Sequence, residues 1–259
     1  MGNRWTVSGV IILLVAIATG CSRVVLEPMP DIKGRVAIRI SKELPDGSDL
    51  GAGVQRIPNT SVYVSTAEKK TAHVGALSLD MFSAAQRVLA DELARADRNR
   101  FVTAGPADAT LEIVPYLVVA TTGSDRIRPW VFLKTSLKDA AGTVKWKTRY
   151  MVSLGEPRPL EGPNGWAAGD GVWLRTMIDH GLRTATWLLM RDASGTLPRN
   201  TGRDVKVKAQ WPWSKEPVEY TAEVLDETRE NIILVAKLID GPAAGVTVFE
   251  KRSVQLTVK

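Results

Sequence analysis

The stretch Trp130–Ser153, WVFLKTSLKDAAGTVKWKTRYMVS, carries a clear strand pattern. Apolar and polar residues alternate on both sides of Ala141-Gly142, where small residues favour a tight turn. Alternation with a period of two places successive side chains on opposite faces of a strand. The stretch therefore predicts an antiparallel hairpin with one buried face.

The two faces of this hairpin differ in chemistry. The first face is apolar and pairs two sets of residues across the hairpin: Val131, Leu133, Thr135 and Leu137 with Val144, Trp146, Thr148 and Tyr150. The second face is basic and has aromatic residues at one end: Lys134, Lys138, Lys145, Lys147 and Arg149, with Trp130 and Phe132. It is either a solvated sheet surface or a site for an anionic partner such as a glycolipid, and both interpretations stay open.

Two helices accompany the strands. Residues 174–189 place eight residues on one apolar stripe at helical spacing: Leu174, Met177, Ile178, Gly181, Leu182, Ala185, Leu188 and Leu189. Asp170 and Gly195 are suited to cap its two ends. A second helix is expected from an N-cap at Ser78 to about residue 98. With strands on either side, residues 34–196 are predicted to form an α+β sandwich, an antiparallel sheet covered by two helices.

The pattern changes after about Arg199. Five short alternating segments follow within about sixty residues, with turn-like joints between the later ones. We predict a small all-β domain over residues 203–259, either SH3-like or a sandwich. The alternative is that these strands extend the first sheet, and the sequence does not distinguish the two.

The beginning of the chain has the features of a secretory signal over residues 1–20. Arg4 precedes the apolar run Val10–Ala18, which is too short to cross a hydrocarbon layer about 30 Å thick. The tetrapeptide Ala18-Thr19-Gly20-Cys21 then resembles the bacterial lipobox, whose cysteine receives a diacylglyceryl group and becomes the first mature residue. An ordinary signal peptide is the alternative. Residues 21–33 are predicted to be the lipidated tether.

This resemblance implies a compartment. Ser22, where an Asp would retain a lipoprotein of enteric type in the inner membrane, implies anchoring to the outer membrane and exposure to the periplasm. Cys21 is the single cysteine of the chain, so no intramolecular disulfide forms, and its lipid is the one covalent group expected. The formal charge of +6 either serves only to keep the protein soluble or indicates anionic lipid or wall polymer as a partner, and nucleic acid is not an expected partner there.

Catalytic motifs are not evident in the sequence. The two histidines, His73 and His180, have no metal-ligand spacing, and no G-x-S-x-G elbow occurs. Glu156 and Glu161 flank a Pro/Gly-rich loop and are the one carboxylate pair considered for acid–base chemistry. We therefore expect a non-enzymatic protein without a cofactor or metal, and an envelope hydrolase is a minor alternative.

Tryptophans in loops are a further candidate for binding. Trp166 lies among glycines, and Trp211-Pro212-Trp213 lies at an expected strand end. Exposed indoles mark contact sites because they offer a large surface at small entropic cost. Buried indoles fill cores, and this second interpretation stays open.

A helix-covered sheet behind a lipobox resembles small envelope lipoproteins, including accessory components of transport and secretion systems. The resemblance implies a docking subunit of an envelope transport, secretion or assembly machine that binds an envelope protein. The alternative is a module that binds cell wall or an anionic polymer.

Overall fold

The computed structural model describes residues 27–46, 50, 53–65, 74–75, 77–95, 100–122, 126–214, 216–237 and 244–258. The signal peptide, the lipobox with Cys21, and His73 lie outside these residues, so the structure does not test the predictions made for them. No helix in the described ranges combines the length and the apolar character needed to cross a membrane.

Thirteen strands in the described part of the chain form one mixed sheet. They are β1 Val36–Ile40, β2 Val54–Arg56, β3 Val62–Ser65, β4 Phe101–Val102, β5 Ala109–Thr122, β6 Arg126–Asp139, β7 Val144–Ser153, β8 Arg158–Pro159, β9 Asp204–Ala209, β10 Val218–Glu227, β11 Asn231–Ala236, β12 Val246–Glu250 and β13 Gln255–Val258. The main path runs β13-β9-β10-β11-β12-β7-β6-β5-β1-β4, while β2 pairs with β3, β3 also pairs with β5, and β8 pairs with β6.

Strands β5, β6 and β7 form the antiparallel centre of the sheet. The predicted hairpin is confirmed, with Leu133 opposite Tyr150 and Leu137 opposite Trp146. A register shift between Leu137 and Lys138 places Val144 opposite Lys138. Val144 is consequently exposed, and its predicted place on the buried face is wrong.

The sheet is mixed because β1 and β3 both run parallel to β5. They occupy successive parts of the same long strand, β1 along Ala109–Ile113 and β3 along Leu117–Ala120. Parallel pairs require a crossover connection, and helix α1 (Met81–Arg95) lies in the chain between β3 and β5. The prediction of a purely antiparallel sheet is therefore wrong.

The C-terminal strands extend this sheet. Strand β12 runs parallel to β7, with Val246 opposite Tyr150 and Val248 opposite Val152, and β11, β10, β9 and β13 follow by antiparallel pairing. The fold class predicted from the sequence, a helix-covered sheet followed by a small all-β domain, is thus wrong. Without β12, β7 would be an edge with unpaired backbone groups, which favours strand addition. The domain boundaries at 196 and 203 stay predictions.

Two helices are described, α1 (Met81–Arg95) and α2 (Ala168–Ala193). Asp80 caps α1, because its carboxylate accepts hydrogen bonds from the backbone N–H groups of Phe82 and Ser83, at 3.1 and 3.0 Å. The hydroxyl and backbone N–H of Ser83 thereby lower the pKa of Asp80. Ser78 and Asp170 are not the N-caps: Ser78 precedes the cap, and Asp170 has a left-handed backbone inside the first turn of α2.

The sheet has a core on each of its faces. The helices cover the first face, and the predicted apolar stripe of α2 is confirmed, with Leu174, Leu182 and Leu188 fully buried in that core. On the second face, Trp130 and Phe132 of β6 share a core with residues of β9 to β12. The C-terminal strands therefore cover the face that the hairpin turns away from the helices.

Candidate functional site

Part of the basic face of the hairpin is paired with carboxylates of its own sheet. Lys138 Nζ lies 2.5 Å from a carboxylate oxygen of Glu112, and Lys145 Nζ lies 3.0 Å from one of Asp139. Burial alone would raise the pKa of Glu112, but the hydrogen bond and charge of Lys138 outweigh it, and the pKa is lowered. Two of the five predicted cations thus already have carboxylate partners.

The remaining members of that face are enclosed to different degrees. Arg149 is buried, while Lys134 and Lys147 are half-buried. Trp130 is completely buried against Trp211 and Phe249, so its predicted place at the edge of an exposed surface is corrected. Binding of an anionic partner to the lysines stays a prediction, without an aromatic edge to support it.

The tryptophans of the loops are mostly core residues. Trp166 is buried and its Nε1 donates a 2.9 Å hydrogen bond to the carbonyl of Ile127. Trp211 is buried and stacks on the half-buried Trp213, with ring centroids 5.3 Å apart. Of the two interpretations left open by the sequence, the core-filling one holds for Trp166 and Trp211, and a contact role for their loops stays a prediction.

One of the two carboxylates considered for catalysis, Glu156, lies beside an arginine. Glu156 lies 3.3 Å from Arg252 across the surface of the sheet. In the described ranges, no group of three or more His, Cys, Asp or Glu residues could hold a metal ion. These observations leave the enzymatic alternative without a described constellation.

A buried polar cluster joins the end of α2 to the sheet. The hydroxyl of Tyr150 donates a 2.7 Å hydrogen bond to Asp192, and the guanidinium of Arg199 pairs with the same carboxylate oxygen. Burial raises the pKa of Tyr150 well above its ordinary value, and the negative charge of Asp192 adds to this rise. All three side chains are at least nine-tenths enclosed, so the cluster holds the fold together rather than facing a ligand.

The outer face of α2 carries the exposed aromatic residues that the sequence analysis missed. Val172, Trp173 and Trp187 are 62%, 42% and 39% exposed. Trp173, His180 and Trp187 are spaced by seven residues, which is close to two helical turns, so they share one stripe opposite the buried one. This spacing was visible in the sequence and was the signal for an outward aromatic stripe.

Two arginines lie against the exposed indoles. The Arg158 guanidinium is 5.2 Å from the ring centroid of Trp173, and that of Arg191 is 4.7 Å from the ring of Trp187. Arg191 is itself held by Asp226 at 2.5 Å. Such cation–π contacts keep each indole in one orientation at the surface.

A cleft of about 380 Å³ opens beside Trp187. Helix α1, helix α2, the turn between β10 and β11, and strands β11 and β12 line it. The lining residues are Glu92, His180, Arg183, Thr184, Trp187, Thr228, Asn231, Ile233 and Val248. Its volume lies within the range of about 300–1,000 Å³ that small-ligand sites occupy. It is a candidate binding site that the sequence analysis did not predict.

Comparison with known proteins adds little to this geometry. No protein-family model and no curated protein matches the chain. A crystal structure described as that of a "putative lipoprotein" from Caulobacter crescentus CB15 is 17% identical, covers 52% of this chain and 89% of its own, and has a TM-score of 0.30. At that TM-score the similarity carries no argument about what this chain does.

Proposed function

We propose that this chain is a lipoprotein of the bacterial envelope, anchored to the outer membrane through Cys21, and that its folded part docks an envelope protein without catalysing a reaction. The lipobox-like Ala18-Thr19-Gly20-Cys21 and the following Ser22 support the anchor. Three acyl chains give stable anchoring where a single chain gives only marginal binding.

The observation that carries the docking role is the exposed Val172-Trp173 pair at the start of α2. A 62% exposed valine beside a 42% exposed tryptophan is an apolar surface that a partner can bury. Arg158 lies over both Trp173 and the buried Trp166, so this surface is joined to the core by a cation–π contact. Preorganised aromatic and arginine side chains are the groups that dominate the binding energy of protein interfaces.

The first described residues support a position of the folded part close to the bilayer. Trp146 Nε1 donates a 2.9 Å hydrogen bond to the carbonyl of Glu27, and Met29 is buried in the core. Glu27 follows Cys21 by six residues, a length of chain that spans about 20 Å when fully extended. The folded part would accordingly begin within about 20 Å of the bilayer surface.

Site-specific photo-crosslinking in intact cells tests the docking role. A photoreactive phenylalanine analogue replaces Trp173 in one variant and Val218 in a matched variant, because Val218 is 46% exposed on β10. We expect one envelope protein to be captured at position 173 and not at position 218. Equal capture at the two positions, or none at 173, contradicts docking through α2.

The anchor is tested separately by Cys21→Ala with metabolic labelling by a radioactive fatty acid. We expect loss of the label and release of the protein from the membrane fraction. Persistent acyl labelling of the variant contradicts a lipid on Cys21. The crosslinking variants keep Cys21, so the outcome of the crosslinking does not depend on the outcome of the labelling experiment.

A further inference from the structure

The cleft beside Trp187 combines an apolar floor with an aromatic wall. Ile233 and Val248 are buried beneath it, and the indole of Trp187 stands at its side, 39% exposed. The contact with Arg191, which Asp226 holds, fixes the plane of that indole. A flat ligand face with C–H groups can therefore stack on a preorganised ring.

Both hydrogen-bond donors and hydrogen-bond acceptors surround the indole of Trp187. Asn231 offers an amide with donors and an acceptor, and Glu92 offers a carboxylate. The hydroxyl of Thr184 donates to the carbonyl of His180 at 3.0 Å, which leaves its oxygen able to accept a bond. A ligand rich in hydroxyl groups, each both donor and acceptor, matches such a rim.

The charges of the rim select against an anionic ligand. The cation of the cleft, Arg183, lies 2.9 Å from the carboxylate of Asp91 and is neutralised by it. Glu92 adds a negative charge, so the cleft has no positive excess with which to attract phosphate or carboxylate groups. An aliphatic chain is disfavoured as well, because it would leave the polar rim desolvated without partners.

We propose that this cleft binds a neutral saccharide, with one sugar ring stacked on Trp187 and its hydroxyl groups bonded by Asn231, Arg183 and Glu92. The site differs from the basic hairpin face, and it also differs from the proposed docking surface. Trp187 follows Trp173 by fourteen residues, which places them about 21 Å apart along the helix axis. The inference does not depend on the lipid anchor or on a protein partner.

Isothermal titration of the purified full-length protein with chitotetraose tests the proposal, with maltotetraose as a second neutral probe and heparin as an anionic one. Trp187→Ala removes the stacking surface, and Trp187→Phe restores part of it. Trp173→Ala is the matched control, because it removes an indole of nearly equal exposure from the same helix. Thermal unfolding of each variant verifies that the fold is retained.

We expect at least one neutral probe to bind, with an affinity that is nearly the same at 50 and 500 mM NaCl because the ligand carries no charge. Trp187→Ala should weaken binding about tenfold or more, Trp187→Phe by less, and Trp173→Ala not at all. Absence of binding by both neutral probes overturns the proposal. So does binding of heparin alone, or an equal loss in the two alanine variants when both are folded.

Discussion

The indole of Trp130 in β6 stacks on the indole of Trp211, with ring centroids 6.1 Å apart and ring planes inclined by 15°. Phe249 of β12 contacts both indoles edge-on, at 5.3 and 5.6 Å. These rings come from β6, from the loop after β9 and from β12, which are far apart in the chain, and they meet on the face of the sheet away from the helices. The central strands and the C-terminal strands therefore share a core.

This shared core predicts one cooperative unfolding transition. Trp211→Ala removes a fully buried indole and should lower the free energy of unfolding by about 3–5 kcal/mol. Urea unfolding is followed by far-UV circular dichroism and by tryptophan fluorescence. Within each protein, wild type or variant, the curves from the two probes should coincide. Trp213→Ala is the control, and the loss should be smaller because Trp213 is only half-buried. Two separate transitions would show that residues 203–259 unfold independently.

The cluster of Tyr150, Asp192 and Arg199 predicts an asymmetry between its members. Asp192→Ala leaves the guanidinium of Arg199 buried without its carboxylate and should lower the free energy of unfolding by about 3–5 kcal/mol. Tyr150→Phe removes one hydrogen bond from a neutral hydroxyl to the same carboxylate and should cost less, about 1.5–3 kcal/mol. Denaturant titration at pH 7 measures both. Equal losses in the two variants would mean that the Asp192–Arg199 ion pair adds nothing beyond the hydrogen bond.

Two buried tyrosines make the fold sensitive to alkali. Burial raises the pKa of Tyr220 and, together with Asp192, that of Tyr150. Below pH 10 both tyrosines are neutral in the folded and the unfolded protein, so their titration does not change the free energy of unfolding there. Above pH 10 the unfolded chain loses these protons and the folded chain does not, so each tyrosine lowers the free energy of unfolding by about 1.4 kcal/mol per pH unit.

Tyr220→Phe isolates this effect. The Tyr220 hydroxyl is buried and has no hydrogen-bond partner in the described part of the chain, so its removal should be neutral or stabilising at pH 7. Urea titrations at pH 9, 10 and 11 should show a smaller loss of stability in the variant than in the wild-type protein. Parallel losses in the two proteins would mean that Tyr220 ionises normally in the fold.

Local pattern accounts for the parts of the fold that were predicted correctly. The hairpin around Gly142 follows from alternation and a turn, because its partners are neighbours in sequence. The buried stripe of α2 follows from helical periodicity. Both features are set by contacts or spacing within about two dozen residues.

Long-range pairing accounts for what was missed. Nothing in the alternation of β12 selects the edge of β7 as its partner, since many strands carry the same pattern. Whether Trp130 and Trp211 are exposed depends on which strands cover their face of the sheet. The pairing of β12 with β7 decides which strands these are. Trp187 could be noticed through its spacing of fourteen residues from Trp173, but the walls of the cleft supplied by Asn231 and Val248 could not.

Gly181 marks the closest approach between α2 and β6. A Cβ atom at this position would lie 2.6 Å from Leu154 Cδ2 and 2.9 Å from Val131 Cγ2, nearer than side chains tolerate. Val131 is fully buried and β-branched within the central strand, so it cannot turn away. Because Gly181 has no side chain, α2 can lie directly on the sheet.

Gly181→Ala should consequently destabilise the protein although alanine is the better helix former. Overpacking costs about 1–3 kcal/mol, which equals or exceeds the gain of about 1 kcal/mol in helix propensity. Thr176→Ala on the exposed side of α2 is the matched control, because it adds no atom and removes only a hydroxyl bonded to the Val172 carbonyl, and the change should be slightly stabilising. Thermal and urea unfolding of the two variants measure the difference. A Gly181→Ala protein more stable than the wild type would show that α2 can move away from β6 at little cost.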